Sequence, residues 1–213
     1  MGMIIARRKA REFSPFKYFF KTLIKVCDPD EVWISSSYYY NNFWNTHDNP
    51  GDTLGDLLSG RCVVLVGDPR INKSADIAIL KSDLLKDLGM GTAVRAFIHN
   101  EPDSNLRSND IQLYKDDRDI AGVVGSSQCT SRDLEYFRPG NMTTDFDIQS
   151  DMIYFDPSFD NDIITAMSSD DLELRDELIG IDIFGIERRP EIDIMCNTNL
   201  KTFVTMSGLF HEI

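Results

Sequence analysis

No apolar run in this chain exceeds about five residues, as in "CVVLV" at 62–66. Short runs rich in Val, Ile, Phe and Tyr recur instead, with Gly, Pro, Asn and Asp clusters between them. A membrane-spanning helix needs about 20 consecutive apolar residues, so the pattern excludes one. Short β-branched and aromatic runs with turn signals every 8–12 residues predict strands of a β-rich domain. "EVWISSSYYY" (31–40), "RCVVLVG" (61–67), "TAVRAFIH" (92–99), "DIQLYK" (110–115) and "DIAGVVG" (119–125) read this way. So do "TTDFDIQ" (143–149), "MIYFDP" (152–157), "IGIDIFGI" (179–186) and "EIDIMC" (191–196). "DIAIL" (76–80) reads as a strand followed by the short helix "SDLLKDLG", the alternative being one helix over 74–88. "SSDDLELRDEL" (168–178) reads as a helix with Asp170 and Asp171 in its first turn, where they complement the helix dipole. No rhythm of strand, long helix and strand is visible, so the expected fold class is mainly β. The expectation is antiparallel sheets in a sandwich or jelly-roll-like arrangement, with a few short helices and an N-terminal amphipathic helix.

That helix raises the second constraint, which is charge. The chain carries 35 acidic and 22 basic residues, a net charge of −13. Its first 27 residues carry +6, so the remainder carries −19. Within this stretch Ser14 is placed to cap a helix that starts at Pro15. Phe16, Phe19, Phe20, Leu23 and Ile24 then recur at helical spacing, with Lys17, Lys21 and Lys25 on an adjacent face. Residues 1–27 are thus expected to form a basic arm with an amphipathic helix, and residues 28–213 an acidic β-rich body.

Catalytic motifs are scarce. "GDPRINKS" and "GMGTAV" lack the glycine spacing of phosphate loops, and no Gly-x-Ser-x-Gly elbow occurs. His47, His99 and His211 are isolated in sequence. Cys27, Cys62, Cys129 and Cys196 form no Cys-x-x-Cys pair and read as buried free thiols of a reducing compartment. Two acidic groups stand out. Asp156, Asp160 and Asp162, with Ser158, alternate as in the first half of a calcium loop. Asn161 and Met167 stand where such a loop needs Gly and Glu. Asp68 and Asp76, with Lys81, could converge in a metal-dependent nuclease or phosphoesterase, although Ala78 occupies the usual lysine position. No cofactor motif is present.

The leading expectation is therefore a non-enzymatic assembly protein. A strand-rich body with a basic N-terminal arm resembles, at the level of class, viral capsid and virion components. Arg7, Arg8, Lys9 and Arg11 would anchor the arm by charge. Phe16, Phe19, Phe20 and Leu23 would supply apolar contact to another copy or another protein subunit. Localisation would be virion or cytoplasm. The alternatives are the nuclease on Asp68 and Asp76, an acidic decoy, and an adaptor held on an anionic membrane surface by residues 14–26. A third setting for the helix is its own body. The acidic body is not expected to bind nucleic acid by itself.

Overall fold

A computed structural model describes residues 2–8, 15–45, 48–68, 73–100, 109–125, 127, 129, 150–169, 178–185 and 200–213. In chain order the elements are β1 (Gly2–Arg8), α1 (Pro15–Cys27), β2 (Glu31–Ser36), α2 (Leu54–Leu58), β3 (Cys62–Gly67), α3 (Ser74–Leu88) and β4 (Ala93–His99). There follow β5 (Asn109–Lys115), β6 (Arg118–Gly125), β7 (Ser150–Phe155), a 3-10 turn (Pro157–Phe159), α4 (Asp160–Ser169), β8 (Leu178–Gly185), α5 (Leu200–Met206) and β9 (Phe210–Glu212). The strands "TTDFDIQ" and "EIDIMC", and the body of the helix expected over 168–178, lie outside the described residues.

The nine strands form one mixed sheet in the order β8-β1-β7-β6-β5-β2-β3-β4-β9. β2, β3 and β4 are mutually parallel, and every other pairing is antiparallel. The described residues thus form a mixed sheet flanked by helices rather than two antiparallel sheets. Parallel neighbours need crossovers, and α2 and α3 supply them. α3 also replaces the strand expected over 76–80. Its buried residues Ile77, Leu80, Leu84 and Leu88 follow a helical stripe, while Asp76 and Ile79 face solvent.

One face of the sheet carries the main core. Val32, Ile34, Val63, Leu65, Ile111, Leu113, Ala121, Val123, Ile153 and Phe155 point into it. α1 lies against β6, α4 and α2 on this face. Phe16, Phe19, Phe20, Leu23 and Ile24 are all buried in the same cluster. The lysine face of α1 also finds its partners within the chain. Lys17 and Lys21 contact Asp48 at 2.9 and 3.3 Å, and Lys21 and Lys25 pair with Asp52. β1 sits between β7 and β8, pairing Gly2 with both Phe155 and Gly185. Ser14, Lys9 and Arg11 lie outside the described residues.

The opposite face holds a smaller cluster under α5, made of Trp33, Val64, Val66, Phe97, Tyr114, Leu200 and Val204. Trp33 stacks on Phe97 with ring centroids 5.8 Å apart. α5 is fastened at its start, where the Leu200 amide donates to Gln112 Oε1 (2.8 Å) and Lys201 Nζ bonds Glu31 and Asp117. β5 and β6 turn tightly through Asp116 and Asp117, both at positive φ, as a two-residue hairpin requires.

Because α1 contributes to the main core, truncating one of its aromatic residues is a test of the whole fold. Phe20→Ala should lower unfolding stability by about 3–5 kcal/mol, read from urea denaturation.

Candidate functional site

The parallel strands all end on one rim of the sheet. In an open sheet, ligands bind beyond the carboxyl ends of the strands, where neighbouring connections diverge in direction. β2 is that point here: its crossover leads to β3 on one side, while β5 lies on the other. The rim gathers Ser36 from the end of β2, Asp68 just after β3, His99 at the end of β4 and Asn109 at the start of β5. Beyond them stand Ser127, which follows β6, and Asp151 near the start of β7. All six side chains are buried, Asp68 at 1% exposure and His99 at 8%.

Burying that many polar groups is costly unless they are bonded. Ser127 donates its amide to Asp151 Oδ1 (3.1 Å) and its hydroxyl to Oδ2 (2.6 Å). Asn109 Oδ1 accepts from the Ser37 amide at 3.1 Å and lies 3.3 Å from its hydroxyl. Ser36 Oγ donates to the Tyr38 carbonyl (2.7 Å) and accepts from the Cys129 amide (3.2 Å). The β3–β4 register pairs Gly67 with Ile98. One step further sets Asp68 beside His99, and alternation puts both on the α5 face. The His99 ring meets Phe210 edge-on at 4.9 Å.

β1 ends on the same rim of the sheet, four strands along from β2, with Arg7 registered to Ser150 and Arg8 to Leu178. Lys73, exposed, precedes the first turn of α3, whose N-terminal end carries partial positive charge. The opposite end of α3 is fixed at the other rim, where Ser59 and Thr92 hydroxyls reach the Leu88 carbonyl.

Further along the α5 face, β5 and β6 carry two acids in low-dielectric surroundings. Burial pushes the Asp110 carboxyl up to about 7, with the Asp119 charge adding to the effect. Burial likewise pushes Asp119 up to about 7, against a hydrogen bond from the Tyr154 hydroxyl at 3.1 Å. Asp110 Oδ2 accepts from Gln112 (3.1 Å), while its buried Oδ1 has no hydrogen-bond partner among the described residues. Tyr154 reaches Asp119 across Gly122, its register partner. A Cβ at Gly122 would land against the Ile111 carbonyl and 2.5 Å from the Tyr154 hydroxyl.

The residues singled out by sequence are distributed differently. Phe16, Phe19, Phe20 and Leu23 lie in the core, and Arg7 and Arg8 reach the rim. Asp68 belongs to the rim, but Asp76 is exposed on the first turn of α3, and Lys81 donates to the Ile213 carbonyl (2.7 Å). Asp156 caps the 3-10 turn by accepting from the Ser158 amide (2.9 Å) and hydroxyl. Asp160 and Asp162 stand in the first turn of α4. Among the described residues no group of three His, Cys, Asp or Glu side chains could hold a metal ion. Cys27, Cys62 and Cys129 are free, and burial pushes the Cys27 thiol up to about 12, leaving it an inert thiol. No described helix is long and apolar enough to cross a membrane. His47 and Cys196 lie outside the described residues. Asn109, Ser127 and Asp151 carried no motif; only their places at strand ends mark them.

No family model matches the chain. No curated protein matches it either. Among solved structures it is similar to NucT from Helicobacter pylori, with a TM-score of 0.38 and 14% identity, over 84% of this chain and 99% of that one.

Two outcomes follow from the acids and the glycine. Asp110 and Asp119 ionise near 7 when folded and near 3.8 when unfolded, so the native state binds more protons between those values. The contribution of these two acids to stability should therefore be greatest at the acidic end of that window and fall as pH rises through it. Asp110→Asn should raise the thermal midpoint at about pH 8 by several degrees and leave it nearly unchanged at about pH 4. Gly122→Ala should cost about 1–3 kcal/mol in urea unfolding, through overpacking against Tyr154.

Proposed function

We propose that the chain is a hydrolase of phosphoesters acting at the carboxyl rim of the parallel strands. The observation that carries this reading is the pair of buried side chains Asp68 and His99, set side by side on the α5 face at the carboxyl ends of β3 and β4. Buried titratable groups at such a point are the default place to seek acid–base chemistry. Exposed Lys73 and the N-terminal end of α3 favour an anionic substrate there, in a protein otherwise dominated by acids.

In this reading His99 is the general base. It takes a proton from water as the water oxygen bonds to phosphorus, and the P–O ester bond breaks. The leaving alkoxide then recovers a proton from the imidazolium. Asp68 orients the ring and balances its transient charge. Lys73 and the N-terminal end of α3 offset the charge that builds on the phosphoryl oxygens. The acidic body still repels nucleic acid over the rest of its surface, and the rim is the exception.

His99→Asn should reduce phosphodiester cleavage at least about 100-fold while keeping the thermal midpoint. The assay follows release of nitrophenol from bis(4-nitrophenyl) phosphate in the presence of a chelator. Absence of cleavage by the wild-type chain, or full activity in the variant, would sink the proposal.

An assembly role is the second reading, with a virion component as its most specific form. It is favoured by exposed Phe203, Met206 and Leu209 beside the short edge strand β9. The contact surface would then lie at that corner and not on the buried face of α1.

A further inference from the structure

We propose that Asn100 is a positioning residue for His99: it clamps the turn between α5 and β9 and so holds the Phe210 ring against the imidazole. This rests on the phosphoester reading for the use to which His99 is put. The outer torsion of a histidine side chain is broad, so an imidazole that must accept a proton needs neighbours to fix its plane. Asp68 stands beside His99 through the β3–β4 register. Phe210, the register partner of His99 on β9, meets its ring edge-on at 4.9 Å.

β9 is poorly suited to hold that ring by itself. It has three residues, it is the last strand of the sheet, and Phe210 is its first residue, where a ladder frays most easily. Asn100, directly after His99, supplies what the ladder lacks. Its amide donates to the Leu209 carbonyl (2.7 Å), and its Nδ2 donates to the Gly208 carbonyl (2.8 Å). Its Oδ1 lies 2.8 Å from His211 Nδ1, and because an amide oxygen only accepts, the histidine nitrogen donates there. One residue thus grips the chain at 208, 209 and 211, on both sides of Phe210. Gly208, at a φ of 70°, makes the left-handed turn from α5 into β9. Behind Phe210 stands Phe203 of α5, edge-on at 5.6 Å. Imidazole, Phe210 and Phe203 therefore form a row of three rings, and Asn100 pins the middle one. The far end of β9 has its own ties, from Arg95 to Glu212 and from Lys81 to the Ile213 carbonyl. Loss of the Asn100 side chain should loosen the Phe210 end and leave the strand attached. Asn100 makes no contact with substrate in this scheme and acts through Phe210.

The test uses the full chain and two readouts. Diethyl pyrocarbonate acylates accessible imidazole nitrogens, and the tryptic peptide 96–107 contains no histidine other than His99. In Asn100→Ala, His99 should be acylated at least about tenfold faster than in the wild type, at a temperature where both are folded. On bis(4-nitrophenyl) phosphate the same variant should lose about 10–100-fold in kcat, with KM within about twofold. Phe210→Leu, which keeps an apolar side chain at this place, should show both changes, and Phe210→Tyr should show neither. Unchanged acylation of His99 in Asn100→Ala, or acceleration there that Phe210→Leu does not share, would overturn the clamp. Accelerated acylation with an unchanged kcat would overturn the positioning role. The two readings fail separately. If the wild type cleaves no phosphodiester, the hydrolase falls and acylation alone decides the clamp. If cleavage depends on His99 while acylation is equal in all variants, the clamp falls and the hydrolase stands.

Discussion

Everything else in this molecule depends on the burial of one face of α1 against the sheet. Phe16, Phe19, Phe20, Leu23 and Ile24 fill the space above β6, and the whole main cluster closes around them. Each large side chain buried there contributes roughly 1.5–3 kcal/mol relative to exposure, so the five together rival the net stability of an ordinary domain. The lysines of the same helix then settle on Asp48 and Asp52. The charge contrast between the first 27 residues and the rest is thus partly an internal pairing.

This arrangement explains what was legible in the sequence and what was not. The helical spacing of the phenylalanines identified α1 and its buried face but left its partner open, because an apolar stripe does not name the surface that covers it. β2, β3, β4, β5, β6, β7 and β8 all coincide with runs read as strands. Their directions were not readable, since the antiparallel reading rested on the absence of long helices between strands. α2 has only five residues and hides in a loop-like stretch, and "DIAIL" alternates well enough to pass for a strand. The stripe Ile77, Leu80, Leu84, Leu88 becomes decisive only when followed across the whole of α3.

The rim was harder still. Asp68 drew notice together with Asp76, and of the two only Asp68 is buried. Asp151, Ser127, Asn109 and His99 are distant in sequence and ordinary in type, and they share one rim because their strands begin or end there. Signals of this kind come from topology, which no local pattern encodes.

The position of β1 has a consequence in time. Its two ladder partners, β7 and β8, come much later in the chain, so Gly2 waits for Phe155 and then Gly185. Pairings that far apart along the chain are slow to form, because most of the loop-closure entropy must be overcome first. On the ribosome, β1 emerges well before both partners and stays without them until they too have been made. The completed sheet is therefore a late event of translation, and an interrupted chain that stops before β7 presents this segment with no strand to receive it.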